Sequence, residues 1–196
     1  KGLVFIVLSE KENHYQAVNP NKLTELIQEQ KSALSQIMPD LQKITQSTPP
    51  NESVMIYRGL IGWKRYIRDI IRVGQDLYTI GAKSSWTDER LKSTINLFHQ
   101  EAERKGIKLY LLYDYEVKSQ NLPIVKEFKN QKYVFLPTKY STKSAIDIFG
   151  DYTVIISNMT IGQISDDTLF TVIINPQIAQ AFRIWFKLMW KLCQKK

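Results

Sequence analysis

The sequence is poor in the residues that form disulfide frameworks and metal centres. Its 196 residues include one cysteine, Cys193, and two histidines, His14 and His99, which lie far apart in the chain. A single cysteine forms neither an intrachain disulfide nor a thiolate cluster, and we interpret Cys193 as a buried member of an apolar C-terminal pattern. Two distant histidines argue against a metal site or a catalytic triad. We therefore expect no metal and no cofactor.

Long apolar runs are also missing from the sequence. No stretch approaches the roughly 20 residues that cross a bilayer, and the first residues lack the pattern of a signal peptide. We expect a cytoplasmic protein without a membrane partner. The apolar fraction of 43% over 196 residues suits one full-sized domain with an accessory piece, but it is small for two independent cores.

Charge is unevenly distributed along the chain. The formal net charge is +8, yet residues 1 to 50 contain five basic and five acidic side chains, so the whole excess lies in residues 51 to 196. Such an excess favours an anionic partner, and two interpretations stay open. It forms either a solvated basic surface or a groove for nucleic acid.

The N-terminal residues predict a β-hairpin. Residues 2 to 8 and 14 to 18 are two extended runs rich in β-branched and aromatic side chains, separated by a polar cluster. Two strands alone are marginal in water. Because no initiating Met is present either, we expect the chain to begin inside a domain whose earlier helices lie upstream.

A long helix is predicted over residues 19 to 46, beginning at Asn19-Pro20-Asn21, where asparagine caps well and proline suits the first turn. Seven of its residues recur at alternating spacings of four and three, which is typical of a coiled-coil dimer, although a helix packed on its own domain also has a stripe. Gln30 in this seam is expected to fix the register, and Pro39 to kink or restart the helix. The predicted dimerisation residues are Leu23, Ile27, Gln30, Leu34, Ile37, Leu41 and Ile44.

Residues 47 to 53 are polar, contain two prolines and predict a linker, after which residues 54 to 196 alternate between strand and helix patterns. Such alternation indicates an α/β layered domain with a mixed sheet flanked by helices. We predict strands at 54–57, 77–80, 107–113, 133–136, 145–149, 153–157 and 169–174, and helices at 60–73, 88–105, 123–129 and 176–193. Thr87 is expected to cap the second of these helices, and Gly150-Asp151 to form a tight hairpin turn.

Several segments, in this order, resemble the TrmB family of sugar-responsive and related transcription regulators. Lys-Gly-Leu-Val at 1–4 and His-Tyr-Gln-Ala-Val-Asn-Pro at 14–20 are similar to the wing of that family's winged helix-turn-helix domain and the start of its linker helix. Tyr57-Arg58-Gly59, Gly62 and the strand at 76–81 resemble the opening of its effector domain, and 147–156 and 182–191 resemble its end. The match covers nearly the whole chain.

The resemblance implies a domain organisation. Residues 1–18 are expected to be the remnant of a DNA-binding domain, 19–46 the dimerisation helix, 47–53 a linker and 54–196 an effector-sensing domain. That domain is expected to have a phospholipase D-like fold. DNA would be contacted through the partial winged-helix domain.

The catalytic motif of phospholipase D is incomplete in this sequence. The family motif is H-x-K-x-x-x-x-D, in which histidine is the nucleophile. In the comparable stretch from Ser141 to Asp147, serine replaces the histidine, Lys143 is retained, and Asp147 falls one place early. Ser157-Asn158 resembles the serine and asparagine that follow the motif. These features imply a phosphodiesterase scaffold that has lost its nucleophile and keeps a pocket for binding.

We accordingly expect a non-catalytic regulator controlled by a small molecule, either a sugar or an anionic metabolite. Polar residues at predicted strand ends are the pocket candidates, because open α/β sheets bind ligands there. The lysines suit a phosphate or carboxylate, and Asp114 suits sugar hydroxyls. Trp63 and Trp86 are expected either to stack on a sugar ring or to be core residues. The predicted ligand-binding residues are Arg58, Lys83, Ser84, Ser85, Asp114, Lys139, Ser141, Lys143, Ser157 and Asn158.

Two alternatives differ in class. The first is a divergent phospholipase D-like phosphodiesterase or nuclease, which would need Asp114, Lys143 or a tyrosine to replace the missing histidine. The second is an interaction module built on the last helix, where a basic edge of residues 183, 187, 191 and 195 borders bulky apolar side chains. The simpler interpretation of that helix is packing against the sheet.

Overall fold

The computed structural model describes residues 4–8, 13–17, 19–46, 52–121 and 130–194. The chain divides into two compact units, residues 1–50 and residues 51–196. The predicted helix at 123–129 and most of the predicted linker at 47–53 lie outside the described residues.

The first unit consists of a β-hairpin and a long helix. Strands β1 (Val4–Leu8) and β2 (Asn13–Ala17) pair antiparallel, which confirms the predicted hairpin. Helix α1 (Asn21–Gln46) begins where the side chain of Asn19 accepts a hydrogen bond from the backbone N–H of Asn21 at 3.0 Å. The predicted cap is therefore confirmed. Pro39 lies inside α1, which continues past it without restarting.

The apolar seam of α1 is exposed within this unit. Its members Leu23, Ile27, Leu34, Ile37 and Leu41 are between 47% and 65% exposed. Nothing within the described part of the first unit covers this face. The side chain of Ile44 lies outside the described residues, and dimerisation through the seam stays a prediction.

The second unit is built on a mixed sheet of seven described strands. They are β3 (Ser53–Arg58), β4 (Leu77–Ala82), β5 (Leu109–Tyr113), β6 (Gln131–Phe135), β7 (Ala145–Phe149), β8 (Tyr152–Ser157) and β9 (Leu169–Ile174). Their order across the sheet is β3-β9-β8-β7-β4-β5-β6. Strands β4, β5 and β6 are parallel, and every other neighbouring pair is antiparallel. The sheet thus changes from parallel to antiparallel at β4.

Helices cover both faces of this sheet. Helices α2 (Gly59–Val73) and α3 (Lys92–Lys105) pack on one face, and α5 (Pro176–Gln194) packs on the other, while α4 (Tyr115–Ser119) is a single short turn after β5. The amphipathic pattern of α2 explains its placement. Its buried residues recur at helical spacing, and its exposed face is basic. The buried members are Trp63, Tyr66, Ile67 and Ile70, and the exposed ones are Arg65, Arg68 and Arg72.

The larger core lies between the sheet and α2 with α3. Tyr66 is at its centre and contacts the rings of Trp63, Trp86, Phe149 and Phe170 at centroid distances of 5.4 to 6.5 Å. Aromatic pairs in such edge-to-face and stacked arrangements stabilise the fold by more than their buried apolar area alone. A smaller core under α5 is formed around the buried Phe186. The prediction that the last helix packs on the sheet is confirmed.

Most predicted elements are present, with two corrections. Residues Gly150-Asp151 connect β7 to β8 as predicted, since Phe149 pairs directly with Tyr152. The helix predicted at 88–105 instead begins at Lys92, after short 3-10 turns at 85–87 and 89–91. Thr87 does not cap it, because its hydroxyl donates to the backbone oxygen of Ser84 at 2.8 Å. Helix α4 was not predicted.

No helix among the described residues is long and apolar enough to span a membrane. Helix α5 nevertheless presents a second apolar side to solvent, formed by Ile184, Trp185, Leu188 and Leu192, each more than half exposed.

Candidate ligand-binding cleft

The polar residues after the strands meet at one end of the sheet. Strands β4 and β5 are parallel and end before Lys83 and Asp114, so these two residues lie side by side. Strand β7 runs the opposite way, which brings its first residues to the same end, and β8 returns there at Asn158. Strand β3 also ends there, at Arg58, opposite the start of β9. The topology therefore gathers side chains from five strand ends.

These side chains line an open cleft of about 820 Å³. Six of the ten predicted ligand-binding residues are in its wall, together with residues that the sequence did not single out. The predicted members are Arg58, Lys83, Asp114, Ser141, Lys143 and Asn158. The principal unpredicted polar members are Glu116, Thr142, Thr160, Ser165 and Asp167.

A buried ion pair forms part of the wall of the cleft. Nζ of Lys83 lies 2.6 Å from Oδ2 of Asp114, and both side chains are 1% exposed. The same ammonium donates to the backbone oxygens of Gly81 and Ser144, each at 3.0 Å. Burial raises the pKa of Asp114, and the adjacent Lys83 ammonium opposes that rise. Because the ammonium makes three close polar contacts, Lys83 is a fixed part of the wall.

A bulge in β4 positions this lysine. The pairing of β4 with β5 shifts register between Ile80 and Ala82, which leaves Gly81 as the extra residue. Gly81 has φ +78°, and a Cβ there would lie 2.9 Å from the backbone oxygen of Ser144. Only glycine fits both the left-handed conformation and this close approach. The bulge turns Lys83 toward Asp114 on the neighbouring strand.

Glu116 and Ser141 form the second polar contact of the cleft. The hydroxyl of Ser141 donates a short hydrogen bond to Oε2 of Glu116, and this bond is the main reason why the pKa of Glu116 is lowered. Glu116 was missed from the sequence, although it lies two residues after Asp114 at the same strand end. In the structure, Ser141 holds a carboxylate.

Asn158 and Arg58 complete the cleft on its other side. The side-chain amide of Asn158 donates to the backbone oxygen of Asp167 at 3.2 Å, so it connects β8 to the loop before β9. Asn158 has φ +56°, a conformation that asparagine tolerates better than most residues. Arg58 and Lys143 are both exposed, and they are the cations of the cleft that solvent reaches.

Four predicted ligand-binding residues do not line the cleft. Ser84 and Ser85 are buried and line a separate internal cavity, where the hydroxyl of Ser85 donates to the backbone oxygen of Thr160 at 3.5 Å. Lys139 is exposed, and its ammonium lies 5.0 Å from the ring of Tyr140. Ser157 is the last residue of β8, beside the cleft rather than in it. Trp63 and Trp86 belong to the core and do not face the cleft.

The internal cavity lies between the sheet and α2. Its volume is about 50 Å³, and most of its lining is apolar. Its polar wall includes Asp147 and Thr79, which are paired directly across β7 and β4, and Asp147 also accepts a short hydrogen bond from Tyr66. Burial raises the pKa of Asp147 to about 6, against the nearby hydroxyls and the Lys83 ammonium, which lower it. Asp147 therefore lies in the core and not in the cleft.

Histidine is not among the described residues that line the cleft. His99 lies on α3. No group of three or more His, Cys, Asp and Glu side chains in the described ranges is arranged to hold a metal ion. The cleft thus offers hydroxyls, carboxylates and cations for binding.

No protein-family model matches the chain, and no curated protein matches it. Among solved structures, the chain is similar to Nuc from Salmonella typhimurium, a phospholipase D family member, with 10% identity and a TM-score of 0.50 over 71% of this chain and 95% of that one. NucT from Helicobacter pylori matches with 14% identity and a TM-score of 0.48, over 72% of this chain and 98% of that one. TrmBL2, an archaeal chromatin protein, matches with 13% identity and a TM-score of 0.43, over 97% of this chain and 76% of that one.

These identities are too low to transfer function, and the likeness to Nuc shows the fold alone. The chain has the mixed α/β fold of phospholipase D-like proteins, as the sequence predicted.

Proposed function

We propose that the chain is the dimerising, effector-binding part of a TrmB-like DNA-binding transcription regulator, and that it is not an enzyme. One observation carries the non-catalytic part of this proposal. Ser141, which the sequence resemblance assigns to the position of the nucleophilic histidine, is hydrogen-bonded to Glu116 in a cleft whose described lining has no histidine. Phosphodiester cleavage by that chemistry needs a nucleophile and a proton donor.

The composition of the cleft favours a small polar ligand. Its volume of about 820 Å³ is within the range of small-molecule sites, roughly 300 to 1,000 Å³. The exposed Arg58 and Lys143 suit a phosphate or carboxylate, whereas Glu116 and Asp167 are acceptors for hydroxyl groups. An anionic metabolite or a sugar therefore fits the same cleft.

A thermal-shift screen against sugars, sugar phosphates and nucleotides tests this proposal. A ligand present at 100 times its Kd stabilises the native state by about 2.7 kcal/mol. We expect an anionic ligand to raise the Tm of the wild type and to lose most of this effect in R58Q/K143Q. The control K187Q removes an exposed lysine of α5 and should respond like the wild type. Equal shifts in all three proteins would refute binding in the cleft.

A phosphodiesterase is the second candidate, favoured by the phospholipase D-like fold and by Lys143 in the cleft. Incubation with bis(p-nitrophenyl) phosphate distinguishes the two. We expect no release of nitrophenolate above background. If the wild type hydrolyses this substrate and K143A does not, the enzyme hypothesis would replace the regulator hypothesis.

Dimerisation through α1 is the second part of the proposal. The exposed seam has the heptad spacing of a two-stranded coiled coil, and a second copy of the same helix is the partner that this spacing fits. Ser32 lies on the opposite side of the helix in the same heptad scheme. We expect L34D to shift the molar mass measured by light scattering from dimer to monomer, and S32D to leave it unchanged. A monomeric wild type would contradict the proposal.

DNA contact is proposed to come from the winged-helix domain of which residues 1–18 are the wing. A wing without a recognition helix makes few groove contacts. We therefore expect the chain alone to bind duplex DNA weakly, in the micromolar range or above, with strong salt dependence. Fluorescence anisotropy at several salt concentrations measures this, and salt-resistant, sequence-specific binding would contradict it.

A further inference from the structure

The internal cavity contains buried polar atoms that have no partner. Nε1 of Trp63 and Oδ1 of Asp147 make no hydrogen bond within the described part of the chain, and both residues line the cavity. Trp63 is 2% exposed and Asp147 is 4% exposed, so bulk water does not satisfy these atoms. Buried polar groups in native proteins nearly always have hydrogen-bond partners, so these two atoms make the cavity wall polar at two points.

Trp63 and Asp147 both contact Tyr66. Tyr66 donates its hydroxyl hydrogen to Asp147, and its ring packs at a centroid distance of 6.0 Å from that of Trp63. The indole N–H is a donor and the carboxylate oxygen is an acceptor. A hydroxyl group is both, so a hydroxyl in the cavity has the chemistry to satisfy either atom.

Charge and size restrict what the cavity takes. Lys83 lines the cavity and its positive charge acts on Asp147, so it disfavours a cation there, while the carboxylate of Asp147 disfavours an anion. At about 50 Å³ the cavity is a third of the roughly 150 Å³ of an apolar cavity that binds benzene, so a six-membered ring does not fit. A hydroxymethyl group, or one or two water molecules, does fit.

The cavity and the cleft are neighbours. Lys83 and Met159 line both of them, so a single layer of side chains separates the two spaces. Lys83 is fixed by its three polar contacts, whereas Met159 has an unbranched, flexible thioether chain. Met159 is therefore the flexible part of this shared wall.

We propose that the cavity is a binding site for the uncharged hydroxymethyl end of the ligand whose anionic end lies in the cleft. The inference rests on the proposed function and deepens it, because it restricts the effector to molecules that carry both an anionic group and a terminal hydroxyl. Water occupies the same site when the ligand is absent. The hydroxyl accepts from the indole N–H of Trp63 and donates to Asp147.

Two probes that differ by one hydroxyl test the proposal on the full chain. Isothermal titration compares 3-hydroxypropyl phosphate with propyl phosphate, which share the phosphate and the three-carbon chain. A site built for a hydroxyl rejects the analogue that lacks it, and we expect the hydroxylated probe to bind at least about tenfold more tightly. W63F should remove most of this preference, because phenylalanine keeps the ring packing and lacks the donor.

The matched control is W185F, the same change at the exposed tryptophan of α5, which should keep the wild-type preference. A145V adds two methyl groups at a buried residue that lines the cavity but not the cleft, and it should equalise the two probes. If circular dichroism shows that A145V does not fold, the effect of W63F on the preference between the two probes is the test.

The outcomes separate the inference from the proposed function. Equal affinities of the wild type for the two probes would overturn the hydroxyl site, with water as its sole occupant, and leave effector binding in the cleft intact. Binding of neither probe would overturn the hydroxyl site as well. Together with a negative thermal-shift screen, it would also overturn the effector role.

Discussion

Replacing Asp147 with asparagine should make the protein more stable at neutral pH than the wild type. The carboxyl is 4% exposed, and burial raises its pKa from 3.8 to about 6. Asparagine has nearly the same size, its amide oxygen still accepts from Tyr66, and it carries no charge to desolvate. The perturbation thus removes an ionisation and keeps the packing.

The direction of the pH dependence of stability follows from proton binding. The native state binds the Asp147 proton more tightly than the unfolded state, so stability from this group is complete below pH 4 and is lost as the pH rises through 6. A rise of about two units in pKa corresponds to about 3 kcal/mol, since one unit is 1.36 kcal/mol. Between pH 4 and pH 7.5 the wild type should lose about 2 to 3 kcal/mol relative to D147N.

Urea unfolding followed by circular dichroism at pH 4, 5.5 and 7.5 measures this difference. D151N is the matched control, because it makes the same change at an exposed aspartate in the β7–β8 turn. The pH dependence should be larger for D147N than for D151N. A free-energy difference between D147N and the wild type that changes no more with pH than that of D151N would refute the reasoning.

Two further changes test the packing of the second unit. K83M leaves Asp114 buried without its partner and should lower the free energy of unfolding by about 3 to 5 kcal/mol. K83M/D114L removes both charges and should recover most of that loss. Additive losses in the double variant would contradict an energetically coupled pair. G150A should destabilise the protein more than G106A. Both glycines have positive φ, so alanine should cost about 1 to 2 kcal/mol at either position. At Gly150 there is an additional clash, because a Cβ would lie 2.7 Å from Val73, whereas a Cβ at Gly106 meets nothing within 4 Å. Chemical unfolding compares the four variants, and equal losses for the two glycines would show that packing at Gly150 relaxes freely.

The sequence predicted the elements whose signal is local. The hairpin turn at Gly150-Asp151, the cap at Asn19 and the amphipathic helices follow from a few neighbouring residues, and the structure confirms them. The start of α3 was wrong because the side chain of Asp88 accepts from Arg90 N–H and Ile164 N–H, and the second of these bonds is tertiary. Helix-capping preferences consider only neighbouring residues, so they cannot predict a hydrogen bond to a residue as distant in sequence as Ile164.

In the candidate site too, the sequence predicted what depends on neighbouring residues and missed what depends on tertiary contacts. Residues within a few positions of a strand end, such as Lys83, Asp114 and Lys143, could be assigned to one end of the sheet from the sequence. The assignment of Ser84 and Ser85 to the cleft failed because the bulge at Gly81 and the left-handed Ser84 turn the chain inward. The contact between Glu116 and Ser141 spans 25 residues and depends on β7 lying next to β4, which no local pattern specifies.

The place of β3 at the edge of the sheet has a consequence for how the second unit is synthesised. Its partner is β9, so Ser53 waits for Ile174, which leaves the ribosome 121 residues later. Loop closure over such a separation is slow, and the other six strands assemble from contacts closer in sequence. We therefore expect β3 to join the sheet last, and its apolar residues to stay uncovered during synthesis until β9 emerges.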